Sequence, residues 1–183
     1  MSLPEEEFRV DGYASTWEPY KLLELDGVDY NERIDRHAFD GADLTDVVFR
    51  VDHEGPVYAR TSNGAINLSI DDHGFAHVTD LSKTARSKEL YEEIRAGMYP
   101  KMSFAFTVAE DHYERDTHTR VIDRIAKVFD ISAVSFPANP TTELSARDYF
   151  DGVIEMEKAE RLEAEQRERQ KKLLELKIKL GGI

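Results

Sequence analysis

The sequence predicts an α+β fold, mainly β: a barrel or a strongly curled sheet with at least one helix, followed by a charged C-terminal helix. Three observations carry this. Before residue 148, short β-branched runs alternate with turn residues and follow one another closely, which favours a barrel or a strongly curled sheet. A single amphipathic stretch interrupts them. After residue 150 the composition changes to a run without proline, dense in paired charges.

The elements follow in order. "DVVFRV" (46–51) is a short strand rich in β-branched residues. "AINLSI" (65–70) and "FAHVTDL" (75–81) read as a hairpin, with Gly74 supplying the turn. "TARSKELYEEIRAG" (84–97) is a helix with Thr84 as N-cap and Gly97 just past its end; Leu90, Tyr91 and Ile94 fall on one face. "KMSFAFTVAE" (101–110) is a strand, "RDTHT" (115–119) a turn, and 120–136 one long strand or two short ones. "FPANPT" (136–141) ends it, because proline cannot continue a ladder. Residues 1–148 thus form one domain and 149–183 a helical extension.

The extension carries five Glu-to-Lys/Arg pairs at i,i+4 with the acid first, the better order for a helix. Apolar residues are sparse from 165 to 172, so no heptad seam is sustained, and a solvated single helix with a Leu-rich end is expected. Residues 151–183 hold eight acids and eight bases, so the net charge of −13 belongs to the preceding body. An acidic body does not attract phosphate backbones, which argues against nonspecific nucleic-acid binding. No apolar run approaches the roughly 18 residues that span a bilayer, and the acidic start "MSLPEEEFRV" lacks the pattern of a signal peptide, so cytosolic residence is the default. The absence of cysteine excludes disulfides, thiolate metal sites and a cysteine nucleophile.

Three polar residues stand in apolar strands. Ser103 lies between Met102 and Phe104; such a hydroxyl is either a small core residue or a nucleophile that the strand holds rigid. His53 follows "VVFRV" where the strand gives way to a Gly-Pro turn, held by the sheet yet open to a cleft. Asp130 sits among Val128, Phe129, Ile131, Ala133 and Val134, either on the wet face of a period-2 strand or buried with a partner that offsets its desolvation. Sequence alone leaves open whether the three meet. His73 and His77, with Asp71 and Asp72, offer a competing metal-hydrolase reading, but their i,i+4 spacing suits a helix and the local pattern is a hairpin.

The order of these segments resembles a family. "GYAST", "ERIDRHAFDG", "VVFRVDHEGPVYAR", "TARSKELYEEIRAGMYPKMSFAF" and "RVIDRIAKVFDISAVSFPANPTT" are similar, from about residue 9 to 145, to tailed-phage prohead serine proteases of the Hong-Kong-97 type. The resemblance implies a fold like that of the herpesvirus assemblins, a small closed β-barrel wrapped by a few helices, here with the charged C-terminal helix added. It implies His53 as general base, Ser103 as nucleophile and Asp130 as the residue that orients His53. No cofactor and no metal are implied. It further implies a serine endopeptidase that cleaves the major capsid protein, scaffold and itself, that forms a homo-oligomer, and that works in the host cytoplasm inside the assembling prohead, with no nucleic-acid or membrane partner. Two positions depart from the usual pattern: Asp130 stands where the family more often has Glu, and Ala105 where many members have glycine. These departures define the alternative, a non-catalytic assembly protein that keeps the protease fold.

Overall fold

The structure, a computed structural model, describes residues 8–25, 27–135 and 140–179. The chain divides into two compact units, Met1–Pro140 and Thr141–Ile183.

The first unit is built from two sheets. Strands β1 (Arg9–Thr16), β6 (Ile66–Ile70) and β7 (Gly74–Asp80) form an antiparallel sheet in the order β1-β7-β6. The larger sheet has six strands: β2 (Tyr20–Leu25), β3 (Val28–Ile34), β4 (Val48–Val51), β5 (Glu54–Arg60), β8 (Lys101–Glu114) and β9 (Thr119–Val134). One helix, α1 (Ala85–Arg95), connects β7 to β8.

The closed barrel expected from the sequence is not found. Its strands are shared between two sheets, and each sheet keeps edges. The physical reason is the length of β9. At 16 residues it carries β3 in parallel near its start, at Thr119–Ile122, and β4 in parallel near its end, at Asp130–Ala133. β8 runs antiparallel along its whole length. Four register shifts bend this β8–β9 ribbon, as bulges do, but among the described residues no ladder closes it onto the small sheet.

The core lies between the sheets. Ile34, Val47, Phe49, Phe75, Leu81, Ile122, Val128 and Ile131 have no exposed surface. Phe39 stacks on Phe75 and Phe104 on Phe106, each pair with centroids 4.5 Å apart. Helix α1 forms as the sequence predicts: Thr84 Oγ1 accepts from the Ser87 amide at 3.0 Å, Leu90 is buried, and Gly97 takes φ +81°.

Several local readings change. Gly74 does not make the hairpin turn. Asp71 makes it, Oδ1 accepting from the amides of His73 and Gly74. Gly74 is needed for close approach instead, since a Cβ there would lie 2.1 Å from the Ser15 carbonyl oxygen. "EGPVYAR" is strand β5 rather than a turn; it tolerates Pro56 because it is a sheet edge. Residues 120–136 are a single strand up to Val134; the proline-rich stop at 136–139 lies outside the described residues. Strands β1 to β3 were not anticipated.

The described part of the second unit belongs to helix α2 (Pro140–Lys179), which has an exposed surface from Lys158 to Leu176. Two of the expected i,i+4 pairs are formed, Glu163–Arg167 at 3.4 Å and Glu168–Lys172 at 2.7 Å. No helix among the described residues is long and apolar enough to cross a membrane.

Candidate active site

The site lies on the face of the large sheet that points away from the core. Register decides which residues share that face. β9 pairs Asp130 with Ala105 and Ser132 with Ser103 on one side, and Asp130 with Val48 and Ser132 with Arg50 on the other. Residues directly opposite one another project to the same side, and alternate residues along a strand do too. Ser103, Asp130, Ser132 and Arg50 therefore occupy one face. Phe104, Ile131, Ala133 and Phe49, the neighbours between them, belong to the core.

His53 reaches this face from a tight turn. Val51 pairs with Glu54, so Asp52 and His53 alone connect β4 to β5. Their φ values are +47° and +61°, the pattern of a type I′ hairpin turn. That turn favours Asn-Gly and similar pairs, because a Cβ is crowded at positive φ. A histidine there is held at a conformational cost, and such costs concentrate at functional sites. The turn is braced on three sides. The Asp52 amide donates to the Ala133 carbonyl, the Asp52 carboxylate accepts from the Ser135 amide and Oγ at 2.9 and 2.7 Å, and the His53 amide donates to Ser132 Oγ at 3.2 Å. The sequence reading put the turn at Gly55-Pro56; the structure puts it at the histidine itself.

His53 Nδ1 lies 2.7 Å from Asp130 Oδ1, with both side chains 9% exposed. An ionised carboxylate only accepts, so Nδ1 is the donor in this pair, and in the neutral imidazole that tautomer leaves the lone pair on Nε2. Asp130 is thus buried with a partner rather than on a wet face. Ser132 Oγ donates to the same carboxylate oxygen at 2.8 Å while accepting from His53 N. Sequence reasoning passed over Ser132, although its place two residues after Asp130 on one strand was enough to put both on one face.

The structure brings His53 and Asp130 into direct contact and sets Ser103 across the ladder from Ser132. Chemically this offers a base with an oriented imidazole and a hydroxyl on the adjoining rigid strand.

The metal alternative does not assemble. His73 is exposed in its turn, whereas His77 is 1% exposed, bonded through Nδ1 to Thr79 Oγ1 at 2.9 Å. Among the described residues no group of three His, Asp or Glu side chains is placed to hold a metal ion. His77 instead has its pKa lowered to about 4 by burial.

Compared with known proteins, residues 2–153 match the model of a family described as caudovirus prohead serine protease. No curated protein and no solved structure matches the chain, so the assemblin-like fold expected from the sequence has no matching structure behind it.

Proposed function

The chain belongs to the caudovirus prohead serine protease family, and we propose that it is a serine endopeptidase in which Ser103 is the nucleophile, His53 the general base and Asp130 the residue that orients the base. The observation that carries this reading is the 2.7 Å contact between His53 Nδ1 and Asp130 Oδ1, on the sheet face that Ser103 shares. Asp130 fixes the proton on Nδ1. His53 Nε2 takes the proton of Ser103 Oγ as that oxygen attacks a peptide carbonyl, and the imidazolium formed is stabilised by the carboxylate. Collapse of the tetrahedral intermediate expels the amine, which receives the proton from Nε2. Water then repeats the sequence on the acyl-enzyme and frees Ser103.

The substrates in this reading are the major capsid protein, its scaffold and the protease itself, cut inside the assembling prohead in the host cytoplasm, with the enzyme acting as a homo-oligomer. Residues 1–148 form the protease domain and 149–183 an extension whose charged helix binds capsid or scaffold. Removing residues 154–183 leaves the family-matched segment intact and should reduce packaging of the protease into proheads; unchanged packaging would exclude that role.

The deciding experiment is the intact mass of the phage's capsid protein after co-expression with this chain, wild type beside Ser103→Ala. A defined truncation with wild type alone supports the reading. Truncation by both variants assigns the cutting to another residue. Full-length capsid protein in correctly assembled shells with both variants favours the non-catalytic assembly protein.

A further inference from the structure

The arginines of the large sheet behave alike, with one exception. Arg33 pairs with Glu114, Arg60 with Asp46, Arg120 with Glu32 and Asp111, and Arg124 with Glu110. Arg50 has no ion pair among the described residues, and its Nε is sealed from solvent without a hydrogen-bond acceptor. In a chain with 37 acids and 24 Lys or Arg, anions are in surplus, so an arginine left without one is a departure that chance pairing does not favour. An unsatisfied N–H in such a place is costly, and a guanidinium fork matches a carboxylate in particular.

The position of Arg50 suits it to a substrate. Arg50, Ser132 and Ser103 form one row across β4, β9 and β8, on the face away from the core. With strands about 4.8 Å apart, the row spans about 10 Å. An extended peptide advances about 3.3 Å per residue, so a bound substrate crosses that distance in about three residues.

We propose that Arg50 is the substrate-carboxylate site of this protein: it receives an Asp or Glu side chain of the cleaved polypeptide within about three residues of the scissile bond. The assignment rests on the reading of Ser103, His53 and Asp130 as the catalytic set. Among the described residues Nε–H has no acceptor and the guanidinium no counter-charge; an acidic side chain on the accessible part of the fork supplies that charge. An amide at that position has the same shape but brings no charge, so the site discriminates Glu from Gln by charge rather than size.

The test is cleavage-site mapping on a peptide library of all twenty residues, with wild type, Arg50→Gln, Arg50→Glu and a Ser103→Ala control. The expected result is acidic enrichment within three residues of the cut bonds, at least about tenfold over the amides. It should be lost in Arg50→Gln and replaced by Lys and Arg enrichment in Arg50→Glu. A wild-type profile without acidic preference, or the same preference in Arg50→Gln, overturns the proposal. Absence of any Ser103-dependent cleavage overturns the catalytic reading instead, and a binding measurement then decides the site by itself. The full chain carrying Ser103→Ala and ¹⁵N-labelled arginine is titrated with N-acetyl-glutamate N-methylamide and with its glutamine counterpart. A shift of the Arg50 Nε–H resonance with the glutamate probe alone supports the site. No shift, or equal shifts with both probes, overturns it.

Discussion

Ser103 and Ser132 face each other directly across the β8–β9 ladder, and the second of these hydroxyls donates to Asp130 while it accepts from the His53 amide. Ser132 has no exposed surface. In the proposed mechanism it is a positioning residue, since it ties the Asp130 carboxylate and the His53 turn to one strand. Ser132→Ala should lower kcat about tenfold to a hundredfold, the cost of losing a hydrogen bond to a charged group of about 1.5–3 kcal/mol. KM should change little, because Ser132 is buried. Steady-state kinetics on one peptide separates the two; an unchanged kcat removes Ser132 from the machinery.

Asp130→Asn keeps the shape of the site but replaces a carboxylate, which only accepts, with an amide that can also donate, so the proton on Nδ1 is no longer fixed in the proposed mechanism. The expected loss in kcat is about 10⁴, as for the equivalent change in a known triad. Asp130→Glu restores the charge with one more methylene and should recover part of that loss. If Asn and Asp variants cleave at equal rates, Asp130 does not orient His53.

Gly74→Ala tests the packing of the small sheet. Its Cβ would meet Ser15 O at 2.1 Å and Thr16 Cα at 2.9 Å, both backbone. Overpacking of this kind costs about 1–3 kcal/mol. Gly12→Ala is the control, since the nearest atom there is His77 Nε2 at 3.8 Å. Urea unfolding should show a lower midpoint for the first substitution than for the second.

His77 predicts the acid limb of stability. Burial holds its pKa at about 4, below the 6.5 of an exposed histidine. Between those values the unfolded chain binds the proton and the folded chain does not, so the slope of stability with pH is positive. Stability should therefore fall as pH drops from about 6.5 to about 4, by about 3 kcal/mol at most. His77→Leu should flatten this part of the curve, measured as the urea midpoint against pH.

The sequence disclosed the elements that local chemistry dictates. Helix α1 was legible from Thr84, Gly97 and the spacing of Leu90, Tyr91 and Ile94; the β6–β7 hairpin and β8 were legible from alternation. The sheet partition was not, because it depends on which edge of β9 receives β3 and β4, a long-range pairing that no local pattern encodes. Strand β5 was hidden by Gly55-Pro56, which look like a turn until the strand is known to lie at an edge. For the site, Ser103, His53 and Asp130 were each visible as polar residues in apolar surroundings. The His53–Asp130 contact was not visible, since it joins positions 77 residues apart. Arg50 was missed because an arginine on a strand reads as an ordinary solvated residue until its missing partner is seen.

Strand β9 is paired at its C-terminal end on both edges at once, by β4 and by β8. Amides flanked in this way open only with the sheet itself, so Asp130 to Ala133 should be among the slowest of the body to exchange, as hydrogen–deuterium exchange would show. The carboxylate is fixed in this inner strand, while its histidine sits at a hairpin tip. Slow loss of activity under mild heating would therefore begin at Asp52-His53, with Asp130 still in place, and would reverse on cooling. Inactivation and unfolding then become separate events, with separate midpoints.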